Sequence, residues 1–391
     1  MAQVLTFARL RQAVSGRAAA FRSVTRLQPV GGQGDKIFPA TYADGVYSSE
    51  KRRFPNADGT SREVDCILLN SVQSEANHAE LALKQAYFDG QLLFPLIEVD
   101  FSATATFAKP IDNLTSLDVP HRLADAILRD SQLPDGVRFQ HSSYAKSWER
   151  ANLWNAGPIY ELCPTALIFG MWGSPEKPGG LGAKFERAFV SEIIAVDCTR
   201  PEIRRGFRID PLESATAAKV KPTKDGFELS NDKDALKPSE LNHGNIVFEN
   251  ANSGLRCEYA EQTTVVSLGA LRKLRFPANG QQDAARDLAA QAVLAALALA
   301  AAVLAGERGT SLRSRCQLFP DESRTWQLLD TPGQNPETFT LTGTEAVALC
   351  NEAIAAAKAA GLSWLEDKLV LSPTPELLAL VAKSQALKEA E

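Results

Sequence analysis

Apolar residues fall into short runs and helical spacings along this chain, and together they predict alternating strands and helices. Residues 64–69 form a run expected to be a buried strand. Asn70 or Ser71 can then cap a helix whose apolar positions Val72, Ala76, Ala79, Leu83 and Ala86 recur at alternating spacings of four and three. The same rhythm places Gln73, Asn77, Glu80 and Lys84 on a neighbouring face, with the two amides one above the other near the helix N-terminus. Residues 92–99 predict another strand. Asp118 and Pro120 mark the start of a second helix carrying Arg122, Asp125 and Arg129 on one face. Residues 165–172 and 189–196 predict two further buried strands, joined by a glycine-rich loop.

The pattern changes between residues 200 and 244, where Pro, Lys, Asp, Asn and Ser dominate. That stretch is too long for an ordinary connection and is expected to project as an arm. A strand over 256–267, a short basic segment over 268–276 and a long alanine-rich helix over 283–305 follow. In residues 312–319, Leu312, Ser314, Cys316 and Leu318 alternate with Arg313, Arg315, Gln317 and Phe319, which predicts one half-buried strand with both arginines and an aromatic on the same face. Thr342 and Glu345 supply a capping box for a last helix with Val347, Cys350, Ile354 and Ala357 inward. The order of elements indicates an α+β fold, read as a single elaborated domain over 1–391 with 284–360 as a helix-strand-helix part.

Composition narrows the class. With 45% hydrophobic residues the chain can bury a large core. Six cysteines form no Cys-x-x-Cys pair and no secretory signal precedes them, so reduced core thiols in a cytoplasmic protein are expected. Four dispersed histidines give no support for a metal centre, and no cofactor motif is present. The apolar run 288–304 is interrupted by Gln291 and reads as a buried helix, so no membrane association is expected. The net charge of −5 conceals an asymmetry: five arginines and no acid precede Asp35, whereas eleven acids and five cations follow Cys316. The arginine-rich start is read as an ordered or RNA-facing segment, with a transit peptide as the alternative.

Candidate chemistry centres on residues 179–187, Gly-Gly-Leu-Gly-Ala-Lys-Phe-Glu-Arg, where glycines permit close approach to an anion and Lys184 and Arg187 can neutralise it. The stretch is neither a Walker A loop nor a dinucleotide fingerprint. Taken alone, it is as well read as an ordinary turn. His78 and Glu80 match half of a zinc-deaminase signature whose cysteine half is absent. His121 and Asp125 are spaced to orient an imidazole, and Cys316 falls on the core-facing side of its strand. Lys184 and Arg187, Arg272 and Arg275, and the Arg313, Arg315 and Phe319 face suit phosphates and single-stranded bases. A cytoplasmic enzyme acting on a phosphorylated ligand or RNA through the Gly179 loop and His121 stands as the alternative.

An ordered series of strings is more specific than any one motif. Residues 34–42 (Gly-Asp-Lys-Ile-Phe-Pro-Ala-Thr-Tyr), 70–77 (Asn-Ser-Val-Gln-Ser-Glu-Ala-Asn), 114–130, 164–172 (Pro-Thr-Ala-Leu-Ile-Phe-Gly-Met-Trp), 179–194, 243–246 (His-Gly-Asn-Ile) and 312–316 (Leu-Arg-Ser-Arg-Cys) together resemble the Cas-seven-type backbone subunit of type I-G CRISPR complexes, formerly I-U. The resemblance covers about residues 34–319. It implies an RNA-recognition-like, ferredoxin-like palm of the RAMP superfamily with large insertions and a projecting thumb, for which 200–244 is the candidate. It also implies a subunit that does not cut nucleic acid and whose copies stack along CRISPR guide RNA, leaving bases free to pair with target DNA among the other subunits of the type I-G complex. Carried onto the matching strings, the candidate RNA contacts are Lys36, Gln73, Asn77, His121, Arg122, Lys184, Arg187, Arg313 and Arg315; Arg272 and Arg275 join them on chemistry alone. The basic and acidic segments suggest a head-to-tail contact between copies.

Overall fold

The computed structural model describes residues 3–56, 58–173, 183–199, 206–215, 217–248 and 254–390. A short strand β1 (Gln3–Val4) and helix α1 (Phe7–Ser15) lead into β2 (Ala20–Pro29). From Phe21 onward the odd-numbered residues of β2 are buried and the even-numbered ones are more exposed, as a strand with one covered face requires. The arginine-rich start of the chain therefore builds a central strand and a helix that buries Leu10, Ala13 and Val14, as the ordered-segment reading expects. The hairpin of β3 (Ser49–Pro55) and β4 (Ser61–Asn70) follows. Ser71 then caps α2 (Val72–Phe88) by accepting from the Ser74 backbone N–H.

Beyond a stretch of short strands and helices lie β5 (Met171–Trp172), β6 (Lys184–Phe185) and β7 (Phe189–Val196). Within the arm lie β8 (Gly206–Arg208), β9 (Val220–Thr223), β10 (Gly226–Leu229) and β11 (Ile246–Phe248). The chain returns through β12 (Tyr259–Ser267) to α3 (Ala284–Glu307), capped by Asp283. Four short strands follow, β13 (Thr310–Arg313), β14 (Cys316–Pro320), β15 (Trp326–Leu329) and β16 (Glu337–Thr340), then α4 (Gly343–Ala359) and α5 (Pro375–Ala390).

Ten strands form one sheet in the order β1-β16-β15-β2-β12-β7-β4-β3, with β14 also pairing β2 and β13 pairing β14. At its centre β2, β7, β12 and the β14/β15 position are mutually antiparallel neighbours. Numbered along the chain, these four stand in the spatial order 4-1-3-2, with α2 between the first and second and α3 between the third and fourth. The fold is thus α+β. Helix α3 is apolar all round and buried from Ala292 to Val303, which only a helix packed on several sides can be. Its alanines let α1, α2 and α4 approach it closely, and one cluster of buried residues runs from Leu5 to Leu371. Among the described residues α3 alone is long and apolar enough to cross a membrane, and its apolar stretch is 78% buried inside the protein.

Several expected elements take a different form. Residues 165–172, expected as a strand, begin as the helix Pro164–Phe169 with all six residues buried. A short apolar run fits either element, and Pro164 at the first helical position tips it towards helix. Gly170 ends it with φ 82°, leaving only Met171–Trp172 as strand. Of 92–99, only Ile97–Val99 is strand. The helix expected after Pro120 is a 3-10 turn, Arg122–Ala124, and a short helix, Ala126–Arg129, separated by the capping residue Asp125. Residues 312–319 are not one strand: Arg315 at φ 59° turns the chain between β13 and β14. All six cysteines are free thiols, five of them buried. Burial pushes the thiols of Cys316 to about 11 and Cys350 to about 12.

Around the expected arm β8 pairs β11, which lies just past residue 244, and between them β9 and β10 form a hairpin. Asp210 fastens the arm, accepting from the backbone N–H groups of Leu212, Ser214 and Gly244 at 3.1, 2.8 and 3.0 Å. Residues 200–205, the start of the expected arm, lie outside the described residues.

Candidate nucleic-acid interface

The polar row on α2 is split between two uses. Glu80 is buried and pairs bidentately with Arg122, Oε1 to Nε at 2.6 Å and Oε2 to Nη2 at 2.9 Å. Burial pushes the Glu80 carboxyl up against the pull of Arg122. The third arm of the guanidinium, Nη1, donates to the Gly170 carbonyl at 2.9 Å. Arg122 itself is only 7% exposed and sits at φ 50°, a conformation held by these bonds. Its donors are spent inside the protein, which corrects the expectation that it faces RNA. One turn further on, Lys84 pairs with Asp118 at 2.7 Å. Gln73 and Asn77, at the N-terminal end of the same row, are left exposed.

Arg187 completes this corner. Its chain passes so close to Gly170 that a Cβ there would meet Arg187 Cγ at 2.9 Å and its backbone nitrogen at 3.2 Å. The guanidinium is half-buried, and burial together with Arg122 lowers its pKa from the ordinary range, while Glu80 acts the other way. Arg122 alone pairs with the Glu80 carboxylate, and Arg187 stands near enough to feel both charges. Beside it, β5 and β6 pair Trp172 with Lys184, whose Nζ stands 5.3 Å from the indole centroid. The fold therefore sets Arg187 near Glu80 of α2, with Lys184 over Trp172 in the adjoining β5–β6 pair, while Gln73 and Asn77 stand exposed nearer the start of the same helix. Residues 179–182, the glycine-rich part of the loop, lie outside the described residues.

His121, just before the Arg122 turn, is exposed. Asp125 does not orient its imidazole: the carboxylate accepts from the His121 backbone N–H at 3.1 Å and from Ile127 N–H at 2.9 Å. Among the described residues no group of three metal-ligating side chains is placed to hold an ion.

A second basic group forms at the β13–β14 turn. Arg313 Nη1 donates to the Pro39 carbonyl at 3.0 Å, and the Arg315 guanidinium stacks over the Phe38 ring at 4.5 Å. The Phe38 N–H donates to the Arg315 carbonyl at 2.9 Å. These contacts tie the β13–β14 turn to Phe38 and Pro39, two and three residues along the chain from Lys36. Phe319, expected on the arginine face, is exposed on β14 but belongs to the second strand of the hairpin.

Arg272 and Arg275 serve the core. Arg272 Nη2 donates to the Ala18 carbonyl at 2.6 Å, and Arg275 Nη1 to Asp287 Oδ2 at 2.9 Å on the first turn of α3. Part of the charge asymmetry along the chain is met by internal ion pairs. Arg9 pairs with Glu337 and Asp330, Arg26 with Asp321, and Arg138 with Glu376. The aromatic partners Trp172 and Phe38 were not singled out from sequence. Their signal is weak: each stands near a cation only through strand pairing or a turn contact that spacing does not reveal.

No curated protein matches the chain. Residues 21–200 match the family model described as CRISPR-associated protein GSU0053, a span that holds Lys36, Gln73, Asn77, His121, Lys184 and Arg187, and the chain's similarity to that family supports a CRISPR-associated protein with a role in CRISPR defence.

Proposed function

We propose that the chain is the Cas-seven-type backbone subunit of a type I-G CRISPR complex, gripping guide RNA by its sugar-phosphate backbone and stacking copy on copy along it. The observation that carries this reading is Arg187, which stands near the spent Arg122–Glu80 pair and makes no side-chain ion pair among the described residues, with Lys184 over Trp172 in the adjoining strands and Gln73 and Asn77 exposed on α2. Such a site offers charge and amide donors without a base-specific pocket, as a protein presenting any guide sequence requires. Lys36, Arg313 and Arg315 make the second grip, and His121 flanks the first. The 4-1-3-2 strand order with its two intervening helices supports a ferredoxin-like palm, and the arm, through Gly244, supports the thumb. In this reading the subunit is cytoplasmic, has no catalytic residue, and leaves guide bases free to pair with target DNA beside the other subunits.

A filter-binding titration of single-stranded RNA across salt concentrations tests it. Affinity should fall steeply with salt, and exchanging Lys184 and Arg187 for alanine should lower both affinity and the magnitude of the log–log salt slope, by about 0.7 for each phosphate no longer neutralised. Binding that ignores salt, or a double variant indistinguishable from the parent, removes the reading. RNA turnover abolished by His121→Ala with binding retained would favour an enzyme instead.

A further inference from the structure

The Trp172 indole is 65% exposed, although the helix leading to it is buried. A single exposed aromatic is ordinary surface by itself, but a rigidly held ring beside a cation is what a nucleobase platform requires. Three observations give the ring that setting. It is rigidly held, because Trp172 pairs with Lys184 and Met171 with Phe185 in the β5–β6 ladder, and Met171 and Phe185 are both buried. Lys184 Nζ lies 5.3 Å from the ring centroid, so its charge enriches the site for an anionic ligand. Gly170, whose carbonyl Arg122 holds and against which Arg187 packs, is two residues away, about 7 Å of extended chain.

We infer that Trp172 is a stacking platform for one nucleobase of single-stranded RNA whose phosphate is held at Arg187. This subsite rests on the RNA-binding reading and adds a base-directed contact to a grip otherwise built for the backbone. Stacking on an aromatic face is tolerant of base identity, so the platform fits a protein that accepts any guide. Lys184 stands over the ring, and most of the indole is exposed.

The test uses two fluorescent single-stranded oligomers of equal length, an oligouridine and an all-abasic counterpart with the same sugar-phosphate backbone. Anisotropy titrations compare the full chain with its Trp172→Ala, Trp172→Phe and Arg187→Ala variants. Trp172→Ala should weaken oligouridine binding by about five- to a hundredfold, the span of a single stacking contact. It should leave abasic binding unchanged, and Trp172→Phe should restore most of the loss. Arg187→Ala should weaken both oligomers. Equal oligouridine binding by Trp172→Ala and the parent overturns the platform, as does an equal loss on both oligomers. If Trp172→Ala lowers self-association while sparing RNA affinity, the indole is a contact between protein surfaces and the proposal fails. A parent that binds neither oligomer overturns the RNA-binding reading itself, a result distinguishable from loss of the platform alone.

Discussion

Arg122 and Arg187 lie close enough to influence the same carboxylate, yet they have opposite uses. Arg122 and Glu80 form a buried pair, so Arg122→Ala leaves an unpaired carboxylate in the core and should destabilise the protein by about 3–5 kcal/mol in chemical denaturation. Replacing both partners by apolar residues of similar volume should recover much of that loss, because the penalty belongs to the stranded charge. Arg187→Ala removes a guanidinium that makes no side-chain ion pair among the described residues. It should shift stability by less than about 1 kcal/mol while lowering RNA affinity. If Arg122→Ala unfolds no more readily than Arg187→Ala, the division of labour at this corner is wrong.

At the scale of elements, the arm is fastened by one carboxylate. Hydrogen bonds from the Ser214 side chain and backbone, with further backbone bonds from Leu212 and Gly244, hold the Asp210 pKa down at about 2. A carboxyl group with its folded pKa depressed contributes stability above the ordinary carboxylate range and loses it as pH falls through the folded value. Amide-exchange protection at Leu212, Ser214 and Gly244 should therefore fall between about pH 4 and about pH 2, ahead of the amides of β12. In Asp210→Asn the same amides should be less protected at neutral pH, with little further pH dependence. Protection that survives to pH 2, or that falls together with β12, would show that Asp210 does not fasten the arm. On the β9–β10 hairpin Leu229, opposite Val220, is 79% exposed, so this region presents apolar surface of its own.

For the whole molecule, the separation of basic and acidic segments along the chain is not a separation in space. Asp321, Asp330, Glu337 and Glu376 are paired with arginines of the same chain, and neutralising them should cost fold stability before it affects assembly. Glu322, Glu352 and Asp367 are exposed and make no ion pair among the described residues. If copies meet head to tail through acidic surface, E322Q, E352Q and D367N combined should weaken RNA-dependent assembly in sedimentation, most visibly at low salt. Unchanged sedimentation would place the contact elsewhere.

The sequence by itself determined the long elements: β4, α2 with Ser71 as its cap, β7, α3 and the Thr342–Glu345 capping box all follow from periodicity and end signals that act within a few residues. It also determined which residue types could hold a phosphate. Tertiary structure decided which of them are available, because burial and pairing depend on partners far along the chain. Arg122 was removed by Glu80, Arg272 and Arg275 were drawn to a carbonyl and to Asp287, and the supposed Arg313–Arg315 strand became a hairpin against Phe38. Residues 164–172 show the limit most directly. An apolar run records only that its side chains leave water, and the packing around it sets whether it does so as strand or helix.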